Sequence, residues 1–156
     1  MKSENLNFDI FTPLRIGALA LIACVSTPVL AQIMPTTEAQ EAIIKTSLLT
    51  FNDANMSGNY AVLNALGSKP FRDGLTPDKL KAAFKDFNEK QIDISAIVSA
   101  KAVATKPTAI DGDGVMVSEG YFDTPKMRVT YTVKTLMSDG KWRLLGINVK
   151  TADPAK

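Results

Sequence analysis

GYFDTPKMRVTYTVKTLMSDGKWRLLGINVK, residues 120–150, decides the fold. From Arg128 to Leu136, Val129, Tyr131 and Val133 alternate with Thr130, Thr132 and Lys134. A period of two with β-branched and aromatic residues is a strand signal. From Lys141 to Lys150, Arg143, Leu145, Ile147 and Val149 alternate with Trp142, Leu144, Gly146 and Asn148. Two loops compete to join these runs. A three-residue loop Ser138-Asp139-Gly140, with Gly140 left-handed beside a bulge, sets Val133 opposite Leu145, Tyr131 opposite Ile147 and Val129 opposite Val149. A two-residue Asp139-Gly140 loop sets Tyr131 against Asn148 and Thr132 against Ile147. A one-residue slip turns a strand's apolar set to the wrong face, so the three-residue loop is the expectation. It predicts one inward face (Val129, Tyr131, Val133, Leu145, Ile147, Val149) and an outward face bearing Thr130, Thr132, Trp142 and Leu144.

The chain that feeds this hairpin has 156 residues, a net charge of +2 and no histidine. Even charge without a basic block argues against nucleic acid as a partner. Lacking histidine, the chain has neither the commonest general base nor the commonest zinc ligand. No cofactor or metal is expected.

Residues 1–31 read as an export signal. Lys2 and Arg15 flank a polar start, and Ile16 to Val25 is an apolar run too short to span a bilayer comfortably. Pro28 breaks it, and Val29-Leu30-Ala31 fits a small-residue cleavage site. The mature chain then has no transmembrane span and is periplasmic or secreted. Leu21-Ile22-Ala23-Cys24 offers an alternative: a lipobox with Cys24 lipidated and the domain anchored to a membrane. Cleavage after Ala31 is preferred, and it leaves no cysteine for a disulfide.

Residues 37–150 read as one domain, and residues 151–156 as a frayed tail. Thr37 with Gln40 forms a capping-box pattern, and Ile44, Leu48 and Phe51 continue a helical stripe broadened by Ile43 and Leu49. A second helix is expected over Asn59–Leu66, with Tyr60, Val62, Leu63 and Leu66 apolar. Ser68–Leu75 reads as a loop with Phe71 tucked inward. Thr76-Pro77 opens the next helix, carrying Leu80, Ala83, Phe84 and Phe87 and ending near Asn88 to Lys90. Ile92–Ala104 reads as a bent or edge strand. Asp111-Gly112-Asp113-Gly114 is a turn and Val115–Phe122 a strand. Helices followed by antiparallel strands give the α+β class, with N-terminal helices packed on a curved antiparallel sheet.

The order and texture of these elements resemble the nuclear-transport-factor-2-like superfamily. The likeness rests on Phe51-Asn52, Gly58-Asn59-Tyr60 and Leu63, a Phe71-Arg72 loop, Gly120-Tyr121-Phe122, and the closing Gly140-Lys141-Trp142-Arg143-Leu144 with Gly146-Ile147-Asn148-Val149. That resemblance implies a cone whose curved sheet wraps the helices, with a pocket at its open end. Its members include enzymes, ligand binders and interaction modules, so fold alone assigns no reaction.

Candidate pocket residues are Phe51, Asn55, Tyr60, Phe84, Phe87, Glu119 and Tyr131. Glu119 is a weak candidate base. If Val115, Val117 and Tyr121 face inward it is buried with a raised pKa; the opposite parity leaves it in water. No triad can form without histidine or cysteine. The leading expectation is an exported, non-catalytic domain that binds a small apolar ligand or a protein partner, with a possible homodimer through Thr130, Thr132, Trp142 and Leu144. The alternatives are an isomerase- or hydratase-type enzyme using Glu119 with Tyr131 or Tyr60, and a lipid-anchored accessory factor of an envelope complex.

Overall fold

Thr36, one residue before the expected cap, starts the first helix: its hydroxyl accepts from the Ala39 N–H at 3.3 Å. The structure is a computed structural model and describes residues 33–154. The leader expected over residues 1–31, and Cys24 within it, lie outside the described residues. Helix α1 runs Thr37–Ser57 and is followed by α2 (Ala61–Ala65), α3 (Lys69–Gly74), α4 (Pro77–Ala83) and α5 (Lys85–Glu89). Strands β1 (Val103–Ala104), β2 (Ala109–Ile110), β3 (Val115–Asp123), β4 (Arg128–Ser138) and β5 (Lys141–Ala152) form one antiparallel sheet in the order β1-β3-β4-β5, with β2 also on β3. The class is α+β. No helix among the described residues is long and apolar enough to cross a membrane.

Four stretches depart from expectation. Ser68–Leu75 is not all loop: Ser68 opens α3, Pro70 sits in its first turn, and Phe71 is buried as expected. The Thr76–Lys90 helix is broken at Phe84 into α4 and α5. Ile92–Ala104 is a 3-10 turn over Ser95–Val98 followed by the two-residue β1. Its buried residues, Ile94 and Ile97, are three apart, so the apparent alternation had the wrong period. Thr151 and Ala152, assigned to the tail, complete β5 against Val129 and Arg128.

The hairpin turn is the two-residue loop. Asp139 (φ 54°) and Gly140 (φ 71°) are both left-handed, the geometry that matches strand twist, and Ser138 pairs with Lys141. The register then shifts between Lys134 and Thr135, where Leu145 is the extra residue of a bulge. Beyond it Val133 faces Ile147, Tyr131 faces Val149 and Val129 faces Thr151. The inward set of β4 is the expected one, but each residue pairs two positions further along β5. The bulge also changes which parity of β5 points inward. Near the turn, Leu144 is buried opposite Thr135, and Trp142 sits on the same side. Past the bulge, Ile147 and Val149 take over. The expected outward placement of Trp142 and Leu144 is therefore corrected: both face the helices, while Thr130 and Thr132 stay outside.

Ile44, Leu48 and Phe51 of α1 and Val129, Tyr131, Val133 and Val149 of the sheet belong to one buried cluster. Full burial of each such side chain contributes roughly 1.5–3 kcal/mol. Gly120 lies opposite Tyr131, and a Cβ there would come within 2.6 Å of the Tyr131 hydroxyl oxygen. Only glycine lets that ring lie across β3. The N–H of Ser68 donates to the Leu144 carbonyl at 2.7 Å, which covers part of the outer edge of β5.

Candidate functional site

Of the seven predicted pocket residues, Phe51, Asn55 and Tyr60 are buried at the C-terminal half of α1, and the partly buried Phe84 and Phe87 pack against them. The rings of Phe84 and Phe87 meet Phe51 edge-on at 4.8 and 5.2 Å between centroids. The Tyr60 hydroxyl donates to Asn55 Oδ1 at 2.6 Å, and Asn55 Nδ2 donates to the Phe51 carbonyl at 2.8 Å. Asn88 Nδ2 reaches the Asn55 carbonyl, and the Ile94 N–H donates to Asn52 Oδ1 at 2.8 Å. These amides fasten α1 to α5 and to the 3-10 turn. Burial raises the Tyr60 pKa, so its hydroxyl stays a donor. Phe51, Asn55 and Tyr60 are satisfied by one another and offer no free group to a ligand.

Tyr131 joins the same core from the sheet, 5.3 Å from the Phe122 ring. Burial, with a smaller contribution from the Glu41 carboxylate, pushes its hydroxyl up to about 12. Glu119 is not beside it. Strand β3 buries Met116, Ser118, Gly120 and Phe122. Glu119 therefore points outward and pairs with Lys106 Nζ at 2.8 Å. The pocket-facing parity offered for Glu119 is corrected: Gly120, with no side chain, is what permits Tyr131 inside, and that fixes Glu119 outside.

The open space lies elsewhere. A hollow of about 200 Å³ sits under Trp142, between Ala42, Ile43, Thr46 and Ser47 of α1, Leu66 at the end of α2, and Leu144. The Ser47 hydroxyl is committed to the Ile43 carbonyl at 2.9 Å, which leaves the walls mostly apolar. Further along α1, a second hollow of about 170 Å³ is lined by Thr50, Asp53, Ala54, Ser57, Asn59 and Val62. A wider dish of about 470 Å³ lies at the other end of the sheet, where Ile92 and Met127 form a floor rimmed by Asp93, Lys126 and Asp153. The Ser95 N–H holds the Asp93 carboxyl below its usual range. That carboxylate is occupied in capping the 3-10 turn.

Trp142 and Leu144, expected on an outward partner face, line this hollow on the helix side. Ile43 and Leu66 were expected only as members of helical stripes. Ile43 lies off the narrow Ile44–Leu48–Phe51 stripe, and the extra width of α1's apolar face is the one sequence signal that pointed there. Thr130 and Thr132 remain on the outer sheet among Lys134, Asn148 and Lys150, with Tyr121 of β3 opposite Thr130 and Val117 opposite Lys134. The chain matches no protein-family model, no curated protein and no solved structure.

Proposed function

We propose that this chain is an exported, non-catalytic binding domain of nuclear-transport-factor-2-like build, and that the hollow under Trp142 takes up an apolar group. One observation carries the proposal: a partly buried tryptophan stands over Ile43, Leu66 and Leu144 with space left between them. Apolar walls around unfilled volume favour an apolar occupant, at about 25 cal/mol for each Å² removed from water. Export rests on the leader pattern of residues 1–31. The non-catalytic character rests on Glu119 being held by Lys106 and on the mutual pairing of Tyr60 and Asn55.

The chain contains a single tryptophan, so its fluorescence reports this hollow alone. Titration of the mature domain with 6-bromohexanol should quench Trp142 saturably, and Leu66→Glu should abolish the saturation. Linear quenching that is the same in both proteins would refute uptake at this site.

A further inference from the structure

The two hollows on α1 lie end to end along one stripe. Ile43, Ser47, Thr50, Ala54 and Ser57 recur at i, i+4, i+7, i+11 and i+14, and line one hollow or the other. Helix α2 runs back along them, with Leu66 in the first hollow and Val62, which is 63% exposed, in the second. From Ile43 to Ala54 is eleven positions, about 16 Å of helix axis.

Three features say what fits there. Each hollow is smaller than the roughly 300 Å³ at which small-molecule pockets begin, and each suits individual side chains. Helices α1 and α2 form most of the walls and spend their N–H and C=O groups within themselves, and where β5 enters, the Leu144 carbonyl is already taken by the Ser68 N–H, so an extended strand would find no continuous ladder to join. An occupant must satisfy its own backbone, as a helix does. Charge supplies the polarity: among the described residues that line the two hollows Asp53 is the only ionisable one, and it stands at the end away from Trp142. No Lys or Arg pairs with Asp53 among the described residues.

We infer that this seam docks an amphipathic helix of about three turns from a partner protein. One bulky apolar side chain enters the hollow under Trp142. A Lys or Arg three turns away meets Asp53, and small or apolar residues between them lie over Thr50 and Ala54. The inference rests on apolar uptake under Trp142 and adds the class of partner and its orientation.

The test uses fluorescein-labelled helical peptides of about fifteen residues. They carry leucine in the first turn and lysine three turns further on, or the same sequence reversed, with alanine and glutamine elsewhere. Anisotropy with the mature domain should show saturable binding of one of the two orientations. Lysine replaced by glutamate should weaken it several-fold, as an exposed ion pair allows, and Asp53→Lys should restore the glutamate peptide and weaken the lysine one. The inference is overturned if bromohexanol still quenches Trp142 saturably while neither peptide binds, or if binding ignores both the peptide's charge and Asp53→Lys. If neither bromohexanol nor peptide binds, uptake under Trp142 falls as well.

Discussion

The two halves of the β4–β5 hairpin share their strands and differ in how they meet the helices. Past the bulge, Val129, Tyr131, Val133 and Val149 share one buried cluster with Ile44, Leu48 and Phe51 of α1, and the Tyr131 ring lies over Gly120. Near the turn, Thr135, Leu144 and Trp142 face α1 and leave a hollow. One extra residue, Leu145, separates the regimes. Above it even-numbered residues of β5 point inward, and below it odd-numbered ones do. A bulge thus lets a two-residue turn and an inward Tyr131 coexist, and it re-aims Trp142 toward the helices.

The filled half should be the less tolerant. Gly120→Ala places a methyl group 2.6 Å from the Tyr131 hydroxyl and against the β1 backbone. Overpacking of this kind costs about 1–3 kcal/mol. Thermal unfolding should show a clear loss, and adding Tyr131→Phe should recover part of it because the clashing oxygen is gone. A melting point unchanged by Gly120→Ala would mean that the ring does not lie across β3.

The same burial makes stability depend on alkaline pH. The Tyr131 pKa is raised from 10.0 to about 12 in the folded protein. Tyr131 therefore ionises first in the unfolded chain, so its own contribution to stability is constant below pH 10 and is lost between pH 10 and 12. Chemical unfolding across that window should show the decline, smaller in Tyr131→Phe. Equal slopes in both proteins would assign it to another group.

The third test separates the observed register from the expected one. Deleting one leucine of the Leu144-Leu145 pair removes the bulge residue and leaves the strand partners in place: Thr135 against the remaining leucine, Val133 against Ile147, Tyr131 against Val149. The fold should survive with a modest loss, read by far-UV circular dichroism and melting. In the register of a three-residue loop, the same deletion turns Ile147 and Val149 outward and should unfold the domain.

That contrast also shows what the sequence could carry. Alternation in Arg128–Leu136 and the Thr76 cap of α4 were legible because local chemistry determines them, while the α1 cap was legible only to within one residue, Thr36 accepting the helix N–H where Thr37 was expected. Which β5 residues face the helices was not legible. Asp139-Gly140 suits a two-residue turn, the apolar pattern rejects the simple register it implies, and a bulge is a third solution that neither signal announces. Tyr60 as a hydrogen-bond donor and Asn55 at the end of the first helix stand among the candidate pocket residues. The partner that satisfies each is the other, five residues away, which becomes visible only when α1 ends at Gly58 and the chain turns back. Glu119 hung on the parity of β3, and Tyr131 over Gly120 decides that from a neighbouring strand.

The smallest expected effect sharpens the open half. Thr135 is 1% exposed opposite Leu144, and its hydroxyl has no hydrogen-bond partner among the described residues. A buried unsatisfied hydroxyl costs about 1–3 kcal/mol, while a methyl group of the same shape does not. Thr135→Val should therefore stabilise the domain by about 1 kcal/mol, raising the melting temperature by roughly 2–8 °C for a domain of this size. The bromohexanol response of Trp142 should not change, because Thr135 does not line that hollow. If Thr135→Val destabilises instead, the hydroxyl is bound to something, a water held at the turn end of the hairpin, and the hollow there is wetter than its apolar walls imply.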